Sequence, residues 1–140
     1  MSFGAASSRR GFPRFAAGDP CPCGAGQYGG CCGPILGGEP APTAEKLMRS
    51  RYTAFVVGDA EHLRRTWHPR TRPADVGPDS STAWTGLEVL ATDAGAPADL
   101  EGTVEFRAHW SEGAARGGLH ERSRFARRGG RWVYVDGEIL

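Results

Sequence analysis

The sequence predicts an α+β protein in which a helical segment precedes an antiparallel sheet, with a small cysteine-rich segment ahead of both. Three observations carry this. Apolar residues recur at helical spacing between Thr43 and Pro69, they alternate with polar ones from Trp84 onward, and all four cysteines fall between Cys21 and Cys32. A chain of 140 residues is most simply one compact domain with room for such an appendage.

Residues 1–18 are rich in Gly, Ser and Ala and have no apolar period, so they are expected to form a mobile tail. The segment 19–36 follows. In it Cys21 and Cys23 flank Pro22, seven residues intervene, and Cys31 and Cys32 stand side by side. Pro20 and Pro22 stiffen the approach, while Gly24, Gly26, Gly29 and Gly30 permit a tight loop. Two pairs of soft donors on a short loop suit a closed tetrahedral site for one structural zinc ion, with Cys21, Cys23, Cys31 and Cys32 as ligands. Redox or disulfide use is the alternative, and four unrelated free thiols a third. One of the possible disulfide pairings needs a strained bridge between the adjacent Cys31 and Cys32.

Gly33 to Pro42 reads as a linker whose Ile35 and Leu36 give a hydrophobic foothold on the body, residues 43–140. Thr43 is placed as an N-cap with Glu45 in the first turn of a helix from Ala44 to Val57. Ala44, Leu47, Met48, Tyr52 and Phe55 give that helix one buried face, and Gly58 ends it. Asp59 caps a second helix with a stripe of Ala60, Leu63 and Trp67, stopped at Pro69. A long loop spans 72–82. Strands are expected over 84–92 and 102–111, with Val104, Phe106, Ala108 and Trp110 on one side of the second. A glycine-rich turn leads into a third strand over 119–128, and Gly129-Gly130 turns it into a fourth over 131–136.

No run approaches the roughly 18 apolar residues of a membrane span, and the arginines near the start precede no apolar signal core. A cytosolic location without membrane attachment is expected, and it favours metal-binding over disulfide-forming cysteines. The net charge of +1 gives no global reason to expect nucleic acid as a partner. The charges are nonetheless segregated: residues 43–72 carry seven basic and three acidic side chains, 73–105 seven acidic and no basic, and 106–140 seven basic and four acidic. Solvated loops and strand faces explain this as well as a two-faced polar surface does. There is no glycine loop followed by lysine to cradle phosphate, and no Gly-x-Ser-x-Gly elbow.

Asp19-Pro20-Cys21-Pro22-Cys23-Gly24 with Cys31-Cys32 resembles the SEC-C motif, the zinc-binding tail first associated with the translocation motor SecA. Five further stretches in order, 47–55, 66–69, 84–87, 120–125 and 132–137, are similar to the YchJ-like family of uncharacterised bacterial proteins. That resemblance implies a nuclear transport factor 2-like cone, two helices packed on a curved sheet of about four strands. The chain departs from the motif in its gap of seven residues where eight are usual, and in having no basic residue inside the loop. Only Arg9, Arg10 and Arg14 upstream stand in for those charges.

Cones of this kind often enclose a pocket, which makes His68, Glu121, Arg124, Tyr52 and Asp136 the polar groups to follow, with Glu121 or His68 as a general base. The plainer reading has Arg49 and Arg51 in buried ion pairs with Glu121, and His68 capping the second helix. Strand alternation puts Glu121, Ser123 and Phe125 on one face and His120, Arg122 and Arg124 on the other. Trp67, Trp84, Trp110 and Trp132 are expected in the core in preference to forming base-stacking platforms. The leading expectation is a zinc-binding, non-catalytic protein whose knuckle engages a protein partner. An enzyme or small-molecule binder using the pocket is the alternative, and association with nucleic acid or the ribosome through the arginines is the third.

Overall fold

The computed structural model describes residues 11–140; Arg9 and Arg10 lie outside the described residues. A 3-10 turn, Tyr28–Gly30, precedes three helices, α1 (Cys32–Leu36), α2 (Ala44–Val57) and α3 (Ala60–Arg65). Four strands follow, β1 (Ala83–Ala94), β2 (Glu101–Glu112), β3 (Ala115–Arg128) and β4 (Arg131–Ile139), paired as an antiparallel meander in chain order. The class is α+β, as expected.

Helix α2 begins where the Thr43 hydroxyl accepts the Lys46 amide at 3.1 Å and ends where Gly58 takes φ 75°. The single stripe read from its sequence understates its burial. Ten of its fourteen residues are buried, including Ser50, Arg51 and Thr53, because other elements cover it on several sides. Leu47, Met48, Tyr52 and Val56 share one core with Val104, Phe106, Ala108 and Phe125 of the sheet. Each such large apolar side chain contributes about 2 kcal/mol on burial. The four cysteines belong to that same core, so the segment expected as an appendage is packed into the body.

Several boundaries differ from expectation. Residues 32–36, read mostly as linker, form α1, which admits Pro34 because it lies in the first turn. Helix α3 stops at Arg65, since Thr66 to His68 turn outward to pair with β4: the Tyr134 amide donates to the Thr66 carbonyl and the His68 amide to the Tyr134 carbonyl, both at 2.8 Å. Gly117 and Gly118, expected in a turn, lie inside β3. Gly117 faces Trp110 across the ladder, and a Cβ there would overlap the indole. Trp110 is therefore half-buried over a glycine and not in the core, whereas Trp132 is buried and Trp84 packs against the core. Phe12 and Phe15, read as part of a tail, also pack: Phe15 stacks on Tyr28 at 6.0 Å and the Phe12 ring lies against Gly58.

The segregated charges meet across the outer face of the sheet. His109 pairs with Glu88 at 2.7 Å, Glu105 with His120 at 2.7 Å and Arg122 at 3.6 Å, and Arg122 with Glu138 at 3.3 Å. Acidic and basic stretches that are distant in sequence become cross-strand neighbours.

Candidate functional site

The cysteine segment is a small hairpin. Pro20 bridges to Gln27, the Cys21 amide donates to the Gly26 carbonyl at 2.7 Å, and the Gly24 amide donates back to the Cys21 carbonyl at 2.9 Å. Gly24 at φ 84° and Gly26 at φ 149° make this reversal possible. The 3-10 turn and the start of α1 then bring Cys31 and Cys32 against the first pair. All four sulfurs lie within 4.8 Å of one another and all four residues are buried. None forms a disulfide.

Cys23 and Cys31 Sγ are 3.4 Å apart, and Cys21 Sγ lies 4.0 Å from the Thr53 hydroxyl on α2. Thiol hydrogens of Cys23 and Cys32 hold the Cys21 sulfur far below the ordinary thiol range, and burial pushes Cys31 up to about 11. Hydrogen bonding to Cys21 raises Cys32 as well. Sulfurs this close repel as thiolates, so the cluster fits a metal ion at its centre. The donor set is all sulfur and buried, which leaves no position for water or substrate. Arg49 ties the hairpin to α2: its Nη1 donates to the Cys23 carbonyl at 2.8 Å while Glu45 holds its Nε at 2.9 Å.

A second feature is a cavity of about 230 Å³ between α2 and the inner face of the sheet. Arg51, 7 % exposed, lines it, with its guanidinium 4.9 Å from the Trp67 ring centroid and 4.6 Å from that of Tyr134. Its Nη1 donates to the Leu63 carbonyl at 2.9 Å and the Thr66 hydroxyl at 2.7 Å. Burial lowers Arg51 to about 10, which leaves it charged at neutral pH. Glu121 also lines the cavity, and its Oε2 accepts from the Ser123 hydroxyl at 2.6 Å and the Tyr134 hydroxyl at 3.4 Å. Burial pushes Tyr52 up to about 12 and raises Tyr134 further.

Against this geometry, the family model described as the YchJ middle NTF2-like domain matches residues 43–137. The chain belongs to the YchJ-like family. A UPF0225 protein of Streptomyces coelicolor is 58 % identical over 123 residues, covering 86 % of this chain and 96 % of the relative. One from Chromobacterium violaceum is 48 % identical over 124 residues, covering 85 % and 92 %. The solution structure of a SEC-C motif containing protein from Rhodopseudomonas palustris matches with TM-score 0.74 and 34 % identity, covering 86 % of this chain and 98 % of that one. The crystal structure of a SEC-C motif containing protein from Psychrobacter arcticus matches with TM-score 0.71 and 27 % identity, covering 89 % and 84 %.

In this YchJ-like chain the seven-residue gap closes the cysteine cluster without an eighth residue. Of the five polar residues followed from the sequence, the structure brings Tyr52 and Glu121 to the cavity and leaves His68, Arg124 and Asp136 outside it. His68 sits in a turn where its Nδ1 accepts the Arg70 amide at 3.1 Å, which also corrects its expected capping of a helix. Arg124 and Asp136 form an outward two-pronged pair at 2.6 and 2.7 Å. A bulge is responsible: Arg124 opposes Asp136 but Phe125 opposes Tyr134, so Val135 is extra and turns Asp136 to the outer face. Neither Arg49 nor Arg51 pairs with Glu121; Arg49 goes to the cysteine hairpin and Arg51 to the end of α3. Sequence reading has Arg51 buried against Glu121 but does not place it among the cavity residues; its partners, the Leu63 carbonyl and the Thr66 hydroxyl, lie beyond its own helix and carry no local signal.

Among the described residues no helix is long and apolar enough to cross a membrane.

Proposed function

We propose that this protein binds one structural zinc ion through Cys21, Cys23, Cys31 and Cys32 and acts in the cytosol as a non-catalytic adaptor. The ion locks the cysteine hairpin onto α2, and the hairpin engages a protein partner. The observation that carries the reading is the buried quartet of sulfurs within 4.8 Å. Zinc–sulfur bonds of about 2.3 Å in a tetrahedron put sulfurs about 3.8 Å apart, which this spread accommodates. The tips of the hairpin, Gly24 to Gln27, are exposed and carry no charge, so a partner would meet backbone and small side chains there. The SEC-C character of the similar solved proteins supports the same metal.

Metal analysis of the purified full chain tests it. About one zinc per chain is expected, with loss of that zinc in Cys23→Ala and a folded body remaining by circular dichroism. A zinc content near zero in metal-replete protein overturns the reading.

A further inference from the structure

The cavity between α2 and the sheet is separate from the cysteine cluster, and its polar groups are unevenly used. Nη1 of Arg51 spends both its hydrogens on Leu63 and Thr66, while Nε and Nη2 make no hydrogen bond among the described residues. Trp67, which also lines the cavity, has its Nε1–H buried without an acceptor. Buried donors without acceptors are costly, at about 1–3 kcal/mol each, and more for charged groups. Among the described residues the Trp67 indole N–H is the one buried side-chain donor left without an acceptor, and Trp67 and Arg51 both line this cavity. At the other pole, Glu121 Oε2 takes the Ser123 and Tyr134 hydroxyls, and Oε1 has no partner of its own among the described residues.

Arg51 and Glu121 face the same space without reaching ion-pair distance, although each lies within the other's field. The remaining wall is apolar and largely aromatic, with Phe55, Trp84, Phe106 and Phe125. At about 230 Å³ the space exceeds the roughly 150 Å³ cavity that takes up benzene, so it admits one ring with a substituent. One cation and one anion make the cavity neutral overall. A simple carboxylate gains Arg51 but meets Glu121, and a simple amine gains Glu121 but meets Arg51. A neutral group with an acceptor on one side and a donor on the other satisfies both.

We infer that this cavity binds a small, neutral, planar aromatic amide, or a lactam of the same size, with its carbonyl on the Arg51 side, its N–H toward Glu121 and its ring against the aromatic wall. Hydrogen bonds to charged groups favour such a molecule over its pure hydrocarbon by about tenfold or more.

Titrating the full chain with benzamide, benzoate and toluene, followed by the Trp67 indole N–H resonance and by calorimetry, tests this. Benzamide is expected to bind one to one, about tenfold or more tighter than either of the others. Ala108→Leu, which extends a buried wall residue into the space, should abolish that binding while the fold is kept. Glu121→Gln should reverse the order so that benzoate binds tighter than benzamide, because the Arg51 charge is then unopposed, an exchange that a purely structural glutamate would not produce. Failure of all three probes to bind, equal binding of benzamide and benzoate, or benzamide binding that survives Ala108→Leu overturns the inference. The wild-type comparison decides it alone if neither variant folds.

Discussion

Arg49 on α2 holds the Cys23 carbonyl at 2.8 Å, so the first cysteine pair is fastened to the central helix by a side chain that Glu45 keeps in place from one turn earlier. The cysteine hairpin and the helix are thus joined by a charge-assisted hydrogen bond as well as by shared core.

Removing that bond should loosen the hairpin. Arg49→Met keeps the aliphatic stem and loses the donor, and is expected to cost about 1 kcal/mol of stability. Zinc release to a chelator should be faster in the variant. Unchanged release kinetics would show that the core contacts alone hold the hairpin.

His62 gives the body a pH dependence. Arg65 Nη2 donates to its Nδ1 at 3.1 Å, and its Nε2–H serves the Ser50 oxygen at 2.9 Å, whose own hydrogen goes to the Leu47 carbonyl at 2.8 Å. This chain requires a neutral ring. Burial, with Arg65 second, lowers His62 to about 4. The unfolded chain therefore binds the proton first as pH falls, and stability declines from about pH 6.5 down to about pH 4 by up to about 3 kcal/mol. Urea unfolding of wild type and His62→Gln across that window should differ in slope, since any contribution of the cysteine cluster is common to both. Parallel slopes would refute the assignment.

Gly137 is exposed and lies in a strand, where alanine is ordinarily harmless. A Cβ there would overlap the Glu121 carboxylate and stand 3.0 Å from the Tyr134 hydroxyl. Gly137→Ala should therefore destabilise by about 1–3 kcal/mol, with Glu121 displaced. A melting temperature equal to wild type would mean that Glu121 moves freely.

Gly58 is constrained twice, by φ 75° and by the Phe12 ring against it. Gly58→Ala is expected to cost about 1 kcal/mol or more from backbone strain and to free Phe12. Pairing with Phe12→Ala in a double-mutant cycle should recover part of the loss, and strict additivity would count against the contact.

The element types and the cysteine quartet were legible along the chain, because periodicity, caps and ligand spacing are local. Thr43, Gly58 and Asp59 mark helix ends through hydrogen bonds within three or four residues, and the alternation of Val104, Phe106 and Ala108 fixes a buried strand face without knowledge of its partner. Which polar groups meet was not legible. Glu121 and Tyr52 reached the cavity as their periodicity allowed, but one extra residue at Val135 sent Asp136 to the opposite face, and the pairing of Thr66 with Tyr134 drew His68 out of the helix. A strand's side chains alternate with period two, so a single bulge reverses every assignment beyond it, and only pairing between distant segments decides where that bulge falls. The partners of Arg51, at the end of α3 and not on the sheet, are decided the same way. Composition cannot show that a helix is covered on several sides; packing of the cysteine hairpin, α3 and the sheet around α2 does.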